Sequence, residues 1–220
     1  MANSIVSLAE PFFLKVLTIV NQTRTSEPGQ LEDLQRRLKA DLQAIEHKVT
    51  SGQVSLSAGE WQSLKKMLIY WADEILTAHI SDWQNYVLEH DYFEERNRAW
   101  KFYVEAEQCI PTGSPASAEL FYLAVVLGFV GDMEGAYRHE LGQEMPGGRS
   151  DPAEARRHWA TQLQRQIQCE STGSLQGEPL DGDAEPVSGE GTYKAGVATF
   201  AISVLLLIVT GGWYLFGTSR

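Results

Sequence analysis

The sequence predicts an all-α protein, in which a helical-bundle domain is followed by a C-terminal transmembrane helix. Apolar residues recur at helical spacing through residues 1–169, and no stretch there shows the sustained alternation that marks a strand. A second observation is an uncharged apolar run at residues 195–216. We therefore predict a cytoplasmic helical domain over 1–169, an acidic flexible linker over 170–193 and a membrane anchor over 194–220.

The first three helices are predicted from apolar stripes and from the residues that interrupt them. The segment TSEPG at 25–29 separates two amphipathic stripes, and Ser51 and Gly52 end the second. Ser57 and Glu60 form a capping box, in which each side chain bonds the backbone amide of the other residue. These signals place helices over roughly 5–23, 31–49 and 57–80.

Four further helical segments follow. The segment IPTGSP at 110–115 reads as a turn between two of them, and Asp151 with Pro152 reads as the start of the last. The run AELFYLAVVLGFV is too short to span a bilayer and carries Glu119, so it predicts a buried central helix. The predicted segments are a short helix after Ser81, a helix from Tyr92 to Cys109, and helices over 118–130 and 151–168.

The chain is acidic, with a net charge of −11. Such a surface argues against nucleic acid as a partner and against electrostatic adhesion to anionic lipid. Residues 170–192 hold six acids, many glycines and serines, and few large apolar side chains. That composition cannot bury enough surface to offset the entropy of ordering, which predicts a flexible linker.

The run AGVATFAISVLLLIVTGGWYLF has 22 residues and no charge. A helix of that length spans roughly 33 Å, enough for a hydrocarbon core of about 30 Å. Lys194 and Arg220 bracket it, and a buried core helix of this length would carry a polar face. We predict a single-pass tail anchor, represented by Ala195, Phe200, Leu206, Trp213 and Phe216.

The N-terminal region lacks the pattern of a secretory signal, because Glu10, Pro11 and Lys15 interrupt its apolar run. A tail anchor without a signal leaves the preceding domain in the cytoplasm. The two cysteines, Cys109 and Cys169, match neither a disulfide framework nor a metal motif. Both observations favour a cytoplasmic domain.

No catalytic motif is found in the sequence, and we predict no enzyme activity, no cofactor and no metal site. Glu154 and His158 lie four residues apart on one helix face and could chelate a metal, but a surface contact is the commoner explanation. Asp73 and Glu74 are adjacent carboxylates on the third helix. A helical wheel places Asp73 opposite the apolar face and Glu74 on its flank. They should be solvated or face a groove, and we expect charge reversal at both to leave the fold intact.

Three segments resemble the DotU/IcmH family, also called TssL. They are LIYWADEIL from Leu68, WQNYVL from Trp83, and AELFYLAVVLGFVG from Ala118 to Gly131. They occur in the family's order and at about its spacing, and the C-terminal anchor matches as well. The family's acidic pair maps onto Asp73 and Glu74, and its other motif positions onto Trp83, Leu120, Tyr122, Leu127, Gly128, Phe129 and Gly131.

The resemblance implies a bundle of about seven or eight helices in two sub-bundles with a cleft between them. It implies a non-enzymatic subunit of type VI (or the related type IVB) secretion, held in the bacterial inner membrane. The implied partners are an IcmF/TssM-like inner-membrane protein and baseplate components, with Asp73 and Glu74 as a partner-binding site. A homodimer formed through the anchor is a further family-level expectation.

The chain also departs from the family's pattern. Val130 replaces an acid, Asp132-Met133-Glu134 replaces Arg-Tyr-Arg, and the segment from Glu95 to Phe102 lacks the Gly-Gly-x-x-Phe-Phe motif. Three alternatives stay open on sequence grounds. They are a tail-anchored Bcl-2-like protein that binds a helix in a groove, a generic helical membrane adaptor, and a metal-dependent or hydrolytic helical-bundle enzyme.

Overall fold

A computed structural model describes residues 4–22 and 28–173, and these residues form helices without any strand. Two 3-10 turns (Trp83–Asn85 and Pro146–Gly148) and a π-helical segment (Gly135–Leu141) lie between the α-helices. The predicted all-α fold is confirmed for this part, while the predicted linker and anchor lie outside the described residues. The helices are α1 Ile5–Gln22, α2 Pro28–Thr50, α3 Ala58–His79, α4 Leu88–Phe93, α5 Arg98–Cys109, α6 Pro115–Val126 and α7 Pro152–Gly173.

Helix α3 is the centre of the domain. It packs against α1, α4, α5 and α6, and every residue from Met67 to Asp73 is buried. Phe13 of α1 meets Trp71 of α3 edge-on, with ring centroids 4.5 Å apart. The middle of α3, from Met67 to Asp73, is therefore covered on all sides and has no solvated face, which matters for the acidic pair below. The division into two sub-bundles stays a prediction.

Helix α1 satisfies, by length and hydropathy alone, a criterion for a membrane-spanning segment. Core helices of soluble domains satisfy the same criterion. Its inward face is covered by neighbouring helices and contributes Ile5, Phe12 and Val16 to the core. In this domain α1 therefore acts as a packing element.

The predicted capping box is present at the start of α3. The Ser57 hydroxyl accepts a hydrogen bond from the Glu60 amide at 3.1 Å. The Glu60 carboxylate also accepts bonds from the Ser114 amide at 2.6 Å and the Ser117 hydroxyl at 2.5 Å, at the start of α6. Burial opposes ionisation here, but these hydrogen bonds hold the pKa of Glu60 below its usual range. One acid thus joins the beginnings of two helices.

The prediction of one helix from Tyr92 to Cys109 is wrong. The chain forms α4 and then α5, because Glu94 takes a left-handed conformation, with φ of 57°, that ends α4. The Asn97 amide, at the start of α5, donates to the buried Glu89 carboxylate. Helical periodicity does not reveal such a break, since both pieces keep apolar residues on the inward side.

The predicted helix over 118–130 ends earlier than expected, at Val126. Gly128, with φ of 107°, and Gly131, with φ of 57°, take backbone conformations that other residues rarely adopt. The chain turns there and directs Phe129 into the core, where its ring stacks on Phe102 with centroids 3.9 Å apart. The buried Phe129 ring therefore holds the loop of residues 127–132 against the core.

Helix α7 begins as predicted and runs longer. Asp151 accepts a hydrogen bond from the Ala153 amide at 3.2 Å, as expected of an N-cap. The helix continues to Gly173, five residues beyond its predicted end at Gln168. Its buried Trp159 meets Tyr103 of α5 edge-on at 5.6 Å, which fixes α7 against the α5 side of the bundle.

Candidate partner-binding site

Asp73 is completely buried near the middle of α3. One carboxylate oxygen accepts hydrogen bonds from the Trp83 indole at 3.0 Å and the Leu88 amide at 2.9 Å. The other accepts from the Glu89 amide at 2.7 Å. Leu88 and Glu89 begin α4, so Asp73 satisfies two amides that have no partner within that helix. This side chain organises the turn between α3 and α4.

The expectation that Asp73 is solvated or faces a groove is wrong. The helical wheel assumed one solvated face, whereas α3 is enclosed by its neighbours. The same burial changes what we predict for charge reversal at this position: a lysine there would meet backbone N–H donors without water, so we now expect it to disrupt the fold. Burial raises the pKa of Asp73 to about 6, although its three N–H donors and Arg98 act in the opposite direction.

Glu74 lies beside Asp73 but reaches the surface, and its side chain is 24% exposed. Arg98 of α5 donates from Nε to the Glu74 carboxylate at 3.3 Å. A terminal nitrogen of the same guanidinium lies 3.5 Å from the carboxylate of Glu89, which is fully buried. Arg98 also donates to the Thr77 hydroxyl at 3.4 Å. The Arg98 guanidinium therefore links α3, α4 and α5 next to the acidic pair.

Glu74 also contacts the loop of residues 127–132. Its second carboxylate oxygen accepts a hydrogen bond from the Gly131 amide at 3.3 Å. The Tyr103 hydroxyl donates to the Val130 carbonyl at 2.7 Å, and the Asp132 amide donates to the Ala99 carbonyl at 2.7 Å. The acidic pair and the glycine-containing block, 57 residues apart in sequence, are thus parts of one site.

A groove of about 360 Å³ opens beside Glu74. Its walls come from the end of α1, the end of α3 and the loop after α6. Val130, where the family's pattern has an acid, is 50% exposed there. The groove is thus mainly apolar. Among its described lining residues Glu74 is the one carboxylate, and the others are Leu17, Val20, Asn21, Ile75, Ala78, His79, Leu127, Gly128 and Val130.

Comparison with known proteins identifies the family. The profile described as "Type VI secretion system protein DotU" matches residues 4–218. The chain belongs to the DotU family. Its fold is similar to that of a solved structure, the "Cytoplasmic domain of TssL from Acinetobacter baumannii", with a TM-score of 0.59 at 18% identity. That match covers 76% of this chain and 99% of the solved one. No curated protein matches the sequence.

In this DotU-family member the predicted motif residues fall into three groups. Trp83, Leu120 and Phe129 are buried and serve the core. Tyr122 and Leu127 are half-buried, and Gly128 and Gly131 shape the loop that borders the groove. Tyr122 and Leu127 therefore keep accessible surface that a partner could contact, whereas Trp83, Leu120 and Phe129 contribute to the packing of the core.

Sequence reasoning missed Arg98 and Glu89, which complete the site. Arg98 lies in the segment that departs from the family's pattern, and Glu89 was not singled out, because no local spacing links either residue to Glu74. Glu154 and His158, considered as metal ligands, both line a groove along α7, in which Glu154 lies 3.9 Å from Arg149. Among the described residues no three metal-ligating side chains come together.

Proposed function

We propose that this chain is a non-enzymatic scaffold subunit that links type VI secretion components to the bacterial inner membrane. Residues 195–216 would anchor it, with the helical domain in the cytoplasm. The groove beside Glu74 would bind a baseplate component, and an IcmF/TssM-like protein would be a membrane partner. The observation that carries the docking proposal is this groove, in which the Glu74 carboxylate is set among half-buried apolar residues and the exposed Val130.

The chemistry of the groove suits a protein partner. Glu74 keeps part of its surface in water while Arg98 and Gly131 fix its direction, so a partner's cation would meet a preorganised carboxylate. Val130 and Leu127 offer apolar contact next to it. An apolar centre with a charged rim is the usual anatomy of a protein interface. The buried Asp73 would act indirectly, by holding α4 and the Arg98 network in place.

The docking proposal is tested by single charge reversal at Glu74. The full chain carrying Glu74→Lys, extracted in mild detergent, should retain its helical content but lose most of its recovery of baseplate components. Glu32→Lys is the matched control, since Glu32 is exposed on α2 and outside the groove. Equal recovery by wild type, Glu74→Lys and Val130→Asp would refute the groove as the docking site.

The anchoring proposal has its own test. A chain ending at Lys194 should appear in the soluble fraction, while the full chain should resist alkaline extraction from membranes. Cysteine crosslinking along 195–216 would test the proposed homodimer. A full chain that washes off membranes would refute the anchor and leave the docking test unaffected.

A further inference from the structure

A groove of about 380 Å³ runs along α7, away from the acidic pair, and its charge is opposite to that of the chain. Its lining includes Arg149, Arg157 and Arg165, with Thr161, His158 and one acid, Glu154. Three guanidiniums face one carboxylate, in a chain whose net charge is −11. The average charge of the sequence therefore conceals a local basic site.

The arginines of this groove are available for a ligand. Arg157 and Arg165 are exposed, and within the described residues neither side chain makes an ion pair. Arg149 has only a 3.9 Å approach to Glu154. By contrast, Lys65 and Lys66 on α3 are each paired with a glutamate. Exposed arginines that outnumber their one acidic neighbour, in an otherwise acidic protein, point to an external anion.

The spacing along α7 brings these groups into one line. Arg157, Thr161 and Arg165 are four residues apart, so they lie on one side of the helix. His158 lines the same groove, and Gly147 packs against its ring, where an added Cβ would lie 2.6 Å from a ring carbon. Nδ1 of His158 is buried without a hydrogen-bond partner among the described residues. The groove thus has one wall formed by Gly147 against the His158 ring, and its arginine side chains are exposed.

Among the described residues that line the groove, every permanently charged cation is an arginine. A guanidinium presents paired N–H donors that match the oxygens of a phosphate, whereas an ammonium acts as a point charge. The Gln162 amide adds a neutral donor to the lining, whereas the Thr161 hydroxyl donates to the Arg157 carbonyl at 2.8 Å. This donor set fits a phosphodiester better than it fits an apolar peptide.

We propose that the α7 groove binds the phosphate headgroup of an anionic phospholipid at the membrane surface. The location of α7 favours lipid over a soluble phosphate, since α7 precedes residues 174–194 and the predicted anchor. The linker predicted from the composition of that stretch would have a reach of about 25 Å, which would let the groove meet the bilayer. This inference rests on the proposed membrane anchoring and adds a second, electrostatic contact to it.

The test uses the full chain in an uncharged detergent, titrated with short-chain phosphatidylglycerol and, separately, with short-chain phosphatidylcholine. Wild type should bind the anionic lipid alone, and Arg157→Gln/Arg165→Gln should bind it about tenfold or more weakly. Arg36→Gln/Arg37→Gln is the matched control, because it removes two exposed arginines that pair with Asp33 on α2. That control should bind like wild type.

Three outcomes would overturn the proposal. Equal losses in the two double variants would mean that charge alone attracts the lipid. Equal affinity for inorganic phosphate would identify a site for a soluble anion. Displacement of the lipid probe by a polyglutamate peptide at lower concentration would assign the groove to an acidic protein. The lipid titration is done in detergent and requires neither a protein partner nor a bilayer. A negative result there would therefore leave the docking proposal at Glu74 and the anchoring proposal untouched.

Discussion

Asp73 and Trp83 are joined by a hydrogen bond of 3.0 Å between two fully buried side chains. The indole donates to the same carboxylate oxygen that accepts from the Leu88 amide. The bond ties the centre of α3 to the segment that leads into α4. An acid expected at a binding surface and a tryptophan expected in a structural motif thus form one buried unit.

Trp83→Phe should destabilise the protein by about 2–4 kcal/mol, since it removes a donor to a buried carboxylate and leaves a small cavity. Trp61→Phe is the matched control. Its indole also bonds a glutamate, Glu46, but that carboxylate is 31% exposed and also binds Lys65. Thermal and chemical unfolding should show a larger loss of stability for Trp83→Phe than for Trp61→Phe. An equal loss of stability in the two variants would contradict the role given to Asp73.

Ionisation of Asp73 should make the free energy of unfolding depend on pH. Its pKa is raised to about 6, above the usual carboxyl value near 4. Between those values the folded protein keeps a proton that the unfolded chain has released. The contribution of Asp73 to the free energy of unfolding should therefore fall as pH rises from about 4 to about 6, by roughly 3 kcal/mol.

Asp73→Asn isolates this effect, because the other titrating groups are common to both proteins. The stability of wild type minus that of the variant should decrease between about pH 4 and pH 6 and stay constant above that range. Denaturant unfolding at several pH values measures the difference. A difference that is flat or that rises over this range would show that the buried carboxyl keeps an ordinary or lowered pKa.

Arg98→Met should cost about 3 kcal/mol or more, because it leaves the fully buried Glu89 without its cation. In a Glu89→Gln background the same substitution should cost clearly less. A double-mutant cycle on unfolding free energies measures the coupling. Additive losses would mean that Arg98 acts through Glu74 and Thr77 alone.

Gly131→Ala should be far more damaging than Gly52→Ala. Both glycines have positive φ, but a Cβ at Gly131 would lie 2.5 Å from the Ala99 carbonyl oxygen, whereas Gly52 has open space around it. We expect a loss of about 1 kcal/mol at Gly52 and about 3 kcal/mol or more at Gly131. Gly128, where the nearest atom is Ile75 Cδ1 at 3.2 Å, should fall between them. A Gly131 variant as stable as the Gly52 variant would contradict the tight loop.

Much of the fold could be predicted from local sequence. Apolar periodicity identified α1, α2 and α3, and capping residues such as Ser57 and Asp151 marked helix starts, because these signals act within one or two turns. The three segments that resemble the DotU family led to the correct family. The break at Glu94 and the early end of α6 at Val126 were missed, since each depends on contacts or backbone angles that periodicity does not encode.

The sequence by itself determined the all-α class, the family and the positions of the acidic pair. It also contains the apolar run at 195–216, whose role as an anchor stays a prediction. Only the tertiary structure decided that Asp73 is buried while Glu74 faces a groove, because α3 is enclosed by helices from distant parts of the chain. The same packing brought Arg98, Glu89 and Gly131 to the pair. Such contacts depend on how helices dock, and no local pattern records that.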